Sequence, residues 1–102
     1  MKVDRSDLET NLPKKGFRRD DDRDHIYFLH EHGGFETGVY TKVSHSPKLR
    51  DISGGLLTAI RKQLRLVSNR QVVDLARCPM TQEEYLSILI SGGIIPPDDS
   101  AR

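Results

Sequence analysis

The residues of this chain best suited to acid–base chemistry lie in one short stretch between residues 23 and 46. They are the four histidines of the chain, His25, His30, His32 and His45. Imidazole has an ordinary pKa close to neutrality, so it can take a proton from a hydroxyl or give one to a leaving oxygen at physiological pH. The stretch RDHIYFLHEHGGFETGVYTKVSHS is therefore the first candidate for a catalytic site.

The same stretch reads as two β-strands joined at Gly33-Gly34, because a glycine pair suits a two-residue hairpin turn. Such a turn pairs Ile26 with Thr41, and Phe28 with Val39. These four residues then share one face, which we expect to belong to the core. The opposite, open face carries His25, Tyr27, Tyr40 and Lys42. A slip of one residue would reverse both faces, so the prediction depends on the turn.

The segment before the hairpin predicts a short helix and a strand. Ser6-Asp7-Leu8-Glu9 has the form of a capping box, so a first helix should begin at Ser6. Pro13 and Gly16 favour an end to that helix between residues 12 and 15. A short strand is predicted at residues 16–19. The aspartate-rich segment at residues 20–24 is too hydrophilic to bury and is predicted to be a solvated loop.

The segment after the hairpin predicts three helices. Asp51 or Ser53 can cap the first of them, which has an apolar stripe made of Leu56, Leu57, Ile60, Leu64 and Val67. Capping-box patterns at residues 68–71 and 81–84 begin two short C-terminal helices. We therefore expect an α+β fold, with a three-stranded antiparallel sheet that has helices on one face and leaves the other face free.

Length and composition limit the protein to a modest size. A chain of 102 residues with 35% hydrophobic residues can form one core, so residues 1–95 are predicted to be a single domain and residues 96–102 a flexible tail. No apolar run approaches the roughly 20 residues needed to cross a bilayer, and the N-terminus lacks a signal-peptide pattern. The lone Cys78 has no CxxC partner, which favours a buried structural thiol and a reducing cytoplasm.

Positive charge is concentrated in the middle of the chain. Residues 40–70 contain seven Lys and Arg against one Asp, although the net charge of the whole chain is only +1. This segment could face phosphate groups, or it could be a solvated helix face; its composition fits both. His30, His32 and His45 could in principle bind a metal, but one His-x-His pair is a weak signal, and we predict neither a metal nor a cofactor. The place of His30 and His32 beside the glycine turn instead predicts exposed residues at a strand end. The chain has no P-loop, dinucleotide fingerprint or nucleophile elbow.

The order of four segments, GFRRD, DHIYF, TKVSHS and DISGGLLTAIRKQL, resembles the HicA family of toxin proteins over residues 5–66. Members of that family have a small fold like the double-stranded-RNA-binding domain (dsRBD), act as mRNA interferases and are neutralised by a HicB-type antitoxin. The resemblance implies a dsRBD-like fold, a metal-independent endoribonuclease activity on mRNA, and a HicB-type partner. The two C-terminal helices resemble those of longer HicA-like relatives.

The family places its catalytic histidine at the start of the central strand, and His25 is the matching residue. Arg23-Asp24 stands where the family commonly has Gly-Ser. The residues expected to contact RNA are Tyr27, Tyr40, Lys42, His45, Lys48, Arg61 and Lys62. Two other functions fit the same residues: a non-catalytic RNA-binding module, and a protein-interaction domain whose sheet edge is completed by a partner strand.

Overall fold

The structure is a computed structural model that describes residues 1–46, 48–77 and 79–96. The strands are β1 (Lys2–Asp4), β2 (Phe17–Asp20), β3 (Ile26–His32), β4 (Phe35–Val43) and β5 (Asp51–Ser53). The helices are α1 (Arg5–Asn11), a 3-10 helix (Leu12–Lys15), α2 (Gly54–Gln63), α3 (Asn69–Ala76) and α4 (Gln82–Ser91). The predicted α+β class is confirmed.

Strands β2, β3 and β4 form the predicted three-stranded antiparallel sheet, with β3 in the centre. A second, two-stranded sheet pairs β1 with β5 and was not predicted. Each of its strands has only three residues, too few for a visible alternation, and only Val3 and Ile52 at their centres are buried. The pairing joins residues about 50 positions apart, so it depends on the tertiary fold.

The hairpin has the predicted turn but a different register. Gly33 and Gly34 both have positive φ, 62° and 85°, and His32 pairs with Phe35 next to them. On the side of His30 away from the glycine turn the pairing shifts, so that Ile26 faces Val43 and not Thr41. The predicted register was therefore wrong by two residues. Because two is an even number, every side chain stays on its predicted face.

A β-bulge causes this shift. Between the pairs Glu31–Glu36 and Leu29–Tyr40, strand β3 contributes one residue and β4 contributes three. Gly38 lies in the bulge with a φ of 88°, a conformation that glycine adopts without strain. The hydroxyl of Thr37 donates to the His30 carbonyl at 3.2 Å.

The helices cover one face of the sheet, and the core lies between the helices and the sheet. Phe28 and Thr41 on this face are fully buried, and the Thr41 hydroxyl donates to Gln63 Oε1 of α2 at 2.7 Å. Tyr85 of α4 is also fully buried, and its hydroxyl donates to the Leu64 carbonyl at 2.7 Å. Helix α4 therefore belongs to the same core.

The predicted apolar stripe of α2 is only partly correct. Leu57, Ile60 and Leu64 are buried, but Leu56 is 40% exposed and Val67 is 81% exposed. Helix α2 ends at Gln63, so the stripe cannot continue to Val67. The buried face is narrower than the sequence predicted.

The helix caps also differ in part from the predictions. Asp4, not Ser6, caps α1, because its carboxylate accepts from the Ser6 backbone N–H at 2.8 Å. The predicted end of this helix is confirmed, since Gly16 follows the 3-10 helix with a φ of 95°. Ser68 caps α3, and Thr81 with Glu84 forms the complete capping box of α4.

His30 was predicted to be an exposed residue at a strand end, and that prediction is wrong. Its side chain is only 2% exposed, and its ring contacts the rings of Phe17 and Tyr85 at centroid distances of 5.0 and 5.4 Å. Burial lowers the pKa of His30 from 6.5 to about 4. His32, in contrast, is exposed as predicted.

Two of the sequence predictions concern residues that the structure does not describe. Cys78 and residues 97–102 of the tail lie outside the described residues.

Within the described ranges, none of the helices combines the length and hydrophobicity needed to span a bilayer. The same ranges contain no group of three or more His, Cys, Asp or Glu side chains arranged to hold a metal ion.

Candidate functional site

His25 lies immediately before β3, at the end of the hairpin furthest from the glycine turn. Its side chain is 39% exposed, but Nδ1 is buried. Nδ1 lies 3.1 Å from Asp24 Oδ2 without the direction of a hydrogen bond, and it has no hydrogen-bond partner among the described residues. The close contact with the His25 ring, helped by the charge of Lys42, lowers the pKa of the Asp24 carboxyl. A carboxylate therefore stands beside the imidazole.

His25 and Lys42 line one pocket with a volume of about 240 Å³. The other residues that line it are Val43, Ser44, Leu49, Leu56, Ala59, Ile60 and Gln63. They come from the end of β4, the segment after it and helix α2, and most of them are apolar. A basic side chain and an imidazole thus line a pocket whose other walls are mostly apolar.

Arg5 hydrogen-bonds to the backbone around Leu49, one of the residues that line this pocket. Its guanidinium donates to the carbonyls of Ser46 and Leu49, and its backbone N–H donates to the Arg50 carbonyl at 2.8 Å. Glu9 in turn accepts from Arg5 Nε at 2.9 Å. These contacts fix the backbone next to Leu49, a residue that the sequence did not mark as part of the site.

The open face of the sheet carries two stacked tyrosines beside the pocket. The rings of Tyr27 and Tyr40 have a centroid distance of 5.8 Å and an interplanar angle of 28°. The Arg23 guanidinium lies 4.7 Å from the Tyr27 centroid, and Lys42 Nζ lies 5.8 Å from it. Arg23, Tyr27, Tyr40 and Lys42 are called the tyrosine strip below. Aromatic faces flanked by cations can stack on bases and attract phosphates.

The sequence did not identify Arg23 as a site residue. It lies in the loop before β3, where no strand alternation indicates a direction for its side chain. Asp20 accepts from Arg23 Nε at 3.0 Å and holds the guanidinium near Tyr27. Arg23 and Asp24, the two residues before His25, thus contact Tyr27 and His25 respectively. Their position directly before the candidate histidine was the one available signal in the sequence.

The other residues that were predicted to contact RNA belong neither to the tyrosine strip nor to the pocket lining. His45 is exposed, and its Nε2 lies 3.0 Å from the Arg23 carbonyl, so it supports the loop that leads to His25. Lys48 is exposed and does not line the pocket. Arg61 and Lys62 belong to α2 on the core side of the sheet, and neither lines the pocket. The structure therefore brings together His25, Lys42, Tyr27 and Tyr40, but not the helical cations.

The other end of the open face, near the glycine turn, is electrostatically different. Arg18 donates to Glu31 at 3.1 Å and to Glu36 at 2.9 Å across the three strands. Arg18 is thus paired with carboxylates alone, whereas at the other end Arg23 pairs with Asp20 and also lies over the Tyr27 ring, and Lys42 lies near the same ring. The two ends of the open face therefore differ in whether their cations contact aromatic rings.

Comparison of this chain with protein-family models, with curated proteins and with solved structures found no match. The fold and the site together define an α+β protein with an aromatic and cationic sheet face next to an imidazole.

Proposed function

We propose that this protein is a metal-independent endoribonuclease that cleaves mRNA, with His25 as its general acid or base. The observation that supports this most directly is the placement of His25 and Lys42 on one pocket, next to the tyrosine strip. RNA cleavage without a metal uses a proton-transferring group and a cation that stabilises the phosphate charge, and aromatic surfaces can hold the neighbouring bases. The resemblance to the HicA family supports the same residue from the sequence.

The reaction begins at the ribose 2′-hydroxyl. The unprotonated Nε2 of His25 takes the hydroxyl proton while the 2′-oxygen forms a bond to the adjacent phosphorus. The bond from phosphorus to the 5′-oxygen breaks, and that oxygen takes a proton from solvent water, which leaves a 2′,3′-cyclic phosphate and a 5′-hydroxyl. The His25 imidazolium then returns its proton to the solvent. The Asp24 carboxylate stabilises the imidazolium that forms, and Lys42 stabilises the negative charge of the phosphorane oxygens.

Cleavage in EDTA tests this proposal. Purified wild type is incubated with unmodified RNA, and the rate is compared for His25→Ala and for His32→Ala as a matched control. His32 is exposed at the far end of β3, and it lies outside the pocket. We expect His25→Ala to lower the rate by about 100-fold or more, as for loss of a general acid or base, while His32→Ala keeps it. Circular dichroism checks that both variants are folded.

Undiminished cleavage by a folded His25→Ala protein would remove His25 from the mechanism. Cleavage that disappears in EDTA and returns with a divalent cation would contradict a metal-independent reaction. Matched protein amounts are needed, because a less stable variant can imitate a catalytic defect.

A second candidate is a non-catalytic RNA-binding module of the same fold. The tyrosine strip favours it, because stacked aromatic rings with flanking cations bind RNA without any proton transfer. This function predicts RNA binding that weakens steeply with salt, and no cleavage products.

The HicA resemblance extends the proposal to the cell. The resemblance implies a dsRBD-like fold and the role of toxin in a type II toxin-antitoxin system with a HicB-type antitoxin, and we propose a cytoplasmic location on the separate ground of the lone Cys78 and the N-terminal sequence. Co-expression with the product of a neighbouring gene, followed by co-purification and loss of RNA cleavage, tests the partner. Growth arrest by the wild type but not by His25→Ala tests the toxin role.

A further inference from the structure

We propose that the pocket beside His25 binds one base of the RNA, and that Gln63 selects the keto bases uracil and guanine over the amino bases cytosine and adenine. This inference rests on the proposed function, because it assigns a substrate preference to the same site. It concerns the apolar part of the pocket and a side chain that the catalytic proposal does not use.

The walls of the pocket suit a flat, apolar ligand. Leu56, a large hydrophobic residue, lines the pocket and is 40% exposed. Leu49, Ala59 and Ile60 continue the apolar wall. The volume of about 240 Å³ is below the roughly 300–1,000 Å³ of sites for drug-sized ligands. A single base, with apolar faces and a polar edge, fits this chemistry better than a whole charged nucleotide.

The neighbouring cation determines which kind of molecule brings the base. Lys42 lines the same pocket and is also part of the tyrosine strip. A ligand that places a base in the pocket and a phosphate beside Lys42 satisfies both the apolar wall and the charge. A nucleic-acid strand has these groups at successive positions along its chain.

Gln63 supplies the polar group that can read the edge of the base. Its Oε1 accepts from the hydroxyl of Thr41, which is fully buried, at 2.7 Å. This hydrogen bond turns the acceptor side of the amide toward the sheet. The Nε2 group makes no hydrogen bond to another residue that the structure describes. Two N–H donors are thus available at a pocket whose walls are mostly apolar.

An amide donor distinguishes bases by the group at the 4-position of pyrimidines or the 6-position of purines. Uracil and guanine carry a carbonyl oxygen there, whereas cytosine and adenine carry an amino group that is itself a donor. A base that presents an amino group leaves two donors facing each other in an apolar pocket, which costs affinity. Uracil and cytosine have nearly the same shape, so this pair isolates the contribution of Gln63.

Binding to 2′-fluoro RNA oligomers tests this inference separately from cleavage, because these oligomers lack the attacking hydroxyl. Fluorescence anisotropy gives the affinity of each protein for oligo-U, oligo-C and mixed G or A sequences. We expect wild type to bind oligo-U about tenfold more tightly than oligo-C. Gln63→Glu keeps an acceptor for Thr41 but replaces the donors by acceptors, so it should reverse the preference toward cytosine. Gln63→Leu should abolish the preference.

Gln82→Glu is the matched control, since it adds the same negative charge at an exposed residue of α4. It should bind all oligomers with the wild-type order of preference. An unchanged preference in folded Gln63→Glu, or equal binding of oligo-U and oligo-C by wild type, would overturn the inference while leaving the cleavage proposal standing. A preference that follows Gln63 in a protein that cleaves no RNA would support the inference and contradict the nuclease. Absence of binding to every oligomer would overturn the inference.

Discussion

The two faces of the three-stranded sheet give their histidines opposite properties. On the core face, His30 is 2% exposed, packs against Phe17 and Tyr85, and has a pKa lowered to about 4. On the open side, His25 is 39% exposed and lines a pocket with Lys42. The two residues are five positions apart in sequence. Strand alternation, and not the residue type, therefore decides whether a histidine of this hairpin is structural or available for chemistry.

The largest effect on stability is expected for a truncation on the core face. Phe28→Ala removes a fully buried ring and should lower the free energy of unfolding by about 3–5 kcal/mol. Tyr40→Ala on the open face should lower it by less, because its ring is 40% exposed. Urea titrations of both variants measure the difference. Equal losses would show that the open face is also packed, which would end the contrast between the faces.

Acid should destabilise the protein through His30. Its pKa is about 4 in the folded protein and 6.5 when unperturbed, so between these values the unfolded chain binds the proton and the folded chain does not. The free energy of unfolding therefore falls as the pH decreases from 6.5 to 4, by at most about 3 kcal/mol. Urea midpoints at several pH values measure this, with His32→Gln as the control. If His30→Gln keeps the same pH dependence, another group is responsible.

A truncation on the open face should mainly weaken RNA binding, whereas a truncation on the core face should mainly lower stability. Tyr40→Ala removes one ring of the tyrosine strip and should weaken binding of single-stranded RNA by about 1–3 kcal/mol, the usual contribution of one stacked base. Arg18→Ala is the control, because Arg18 lies at the other end of the open face, where it pairs with Glu31 and Glu36. A larger loss for Arg18→Ala than for Tyr40→Ala would move the RNA surface to the glycine turn.

The smallest effect is expected in the bulge that sets the register. Gly38 has a φ of 88°, so Gly38→Ala should destabilise the protein by about 1 kcal/mol, although no atom lies close enough to clash. Gly55→Ala is the matched control, since Gly55 is in the first turn of α2 without a positive φ. It should be neutral or stabilise by about 0.4–1 kcal/mol. Thermal unfolding of both variants tests the sign of each change.

The candidate site was only partly predictable. Alternation placed Tyr27, Tyr40 and Lys42 on one face, and the structure confirms that they lie together. Leu56 was predicted to be core but lines the pocket, because α2 presents it to the cavity beside β4. Arg61 and Lys62 were grouped with the sheet residues by charge alone, yet they belong to the opposite layer. Charge along a sequence does not state which layer a helix occupies.

The features that depend on neighbours along the chain could be predicted from the sequence. The glycine turn, the alternation of faces in the hairpin and the capping box at Thr81 all arise within a few residues, where spacing alone specifies the contacts. Three other features arise only in the folded protein: the two-residue bulge, the pairing of β1 with β5 and the pocket between His25 and Gln63. Each of these joins segments that are distant in sequence, and only the packing of the whole core makes them neighbours.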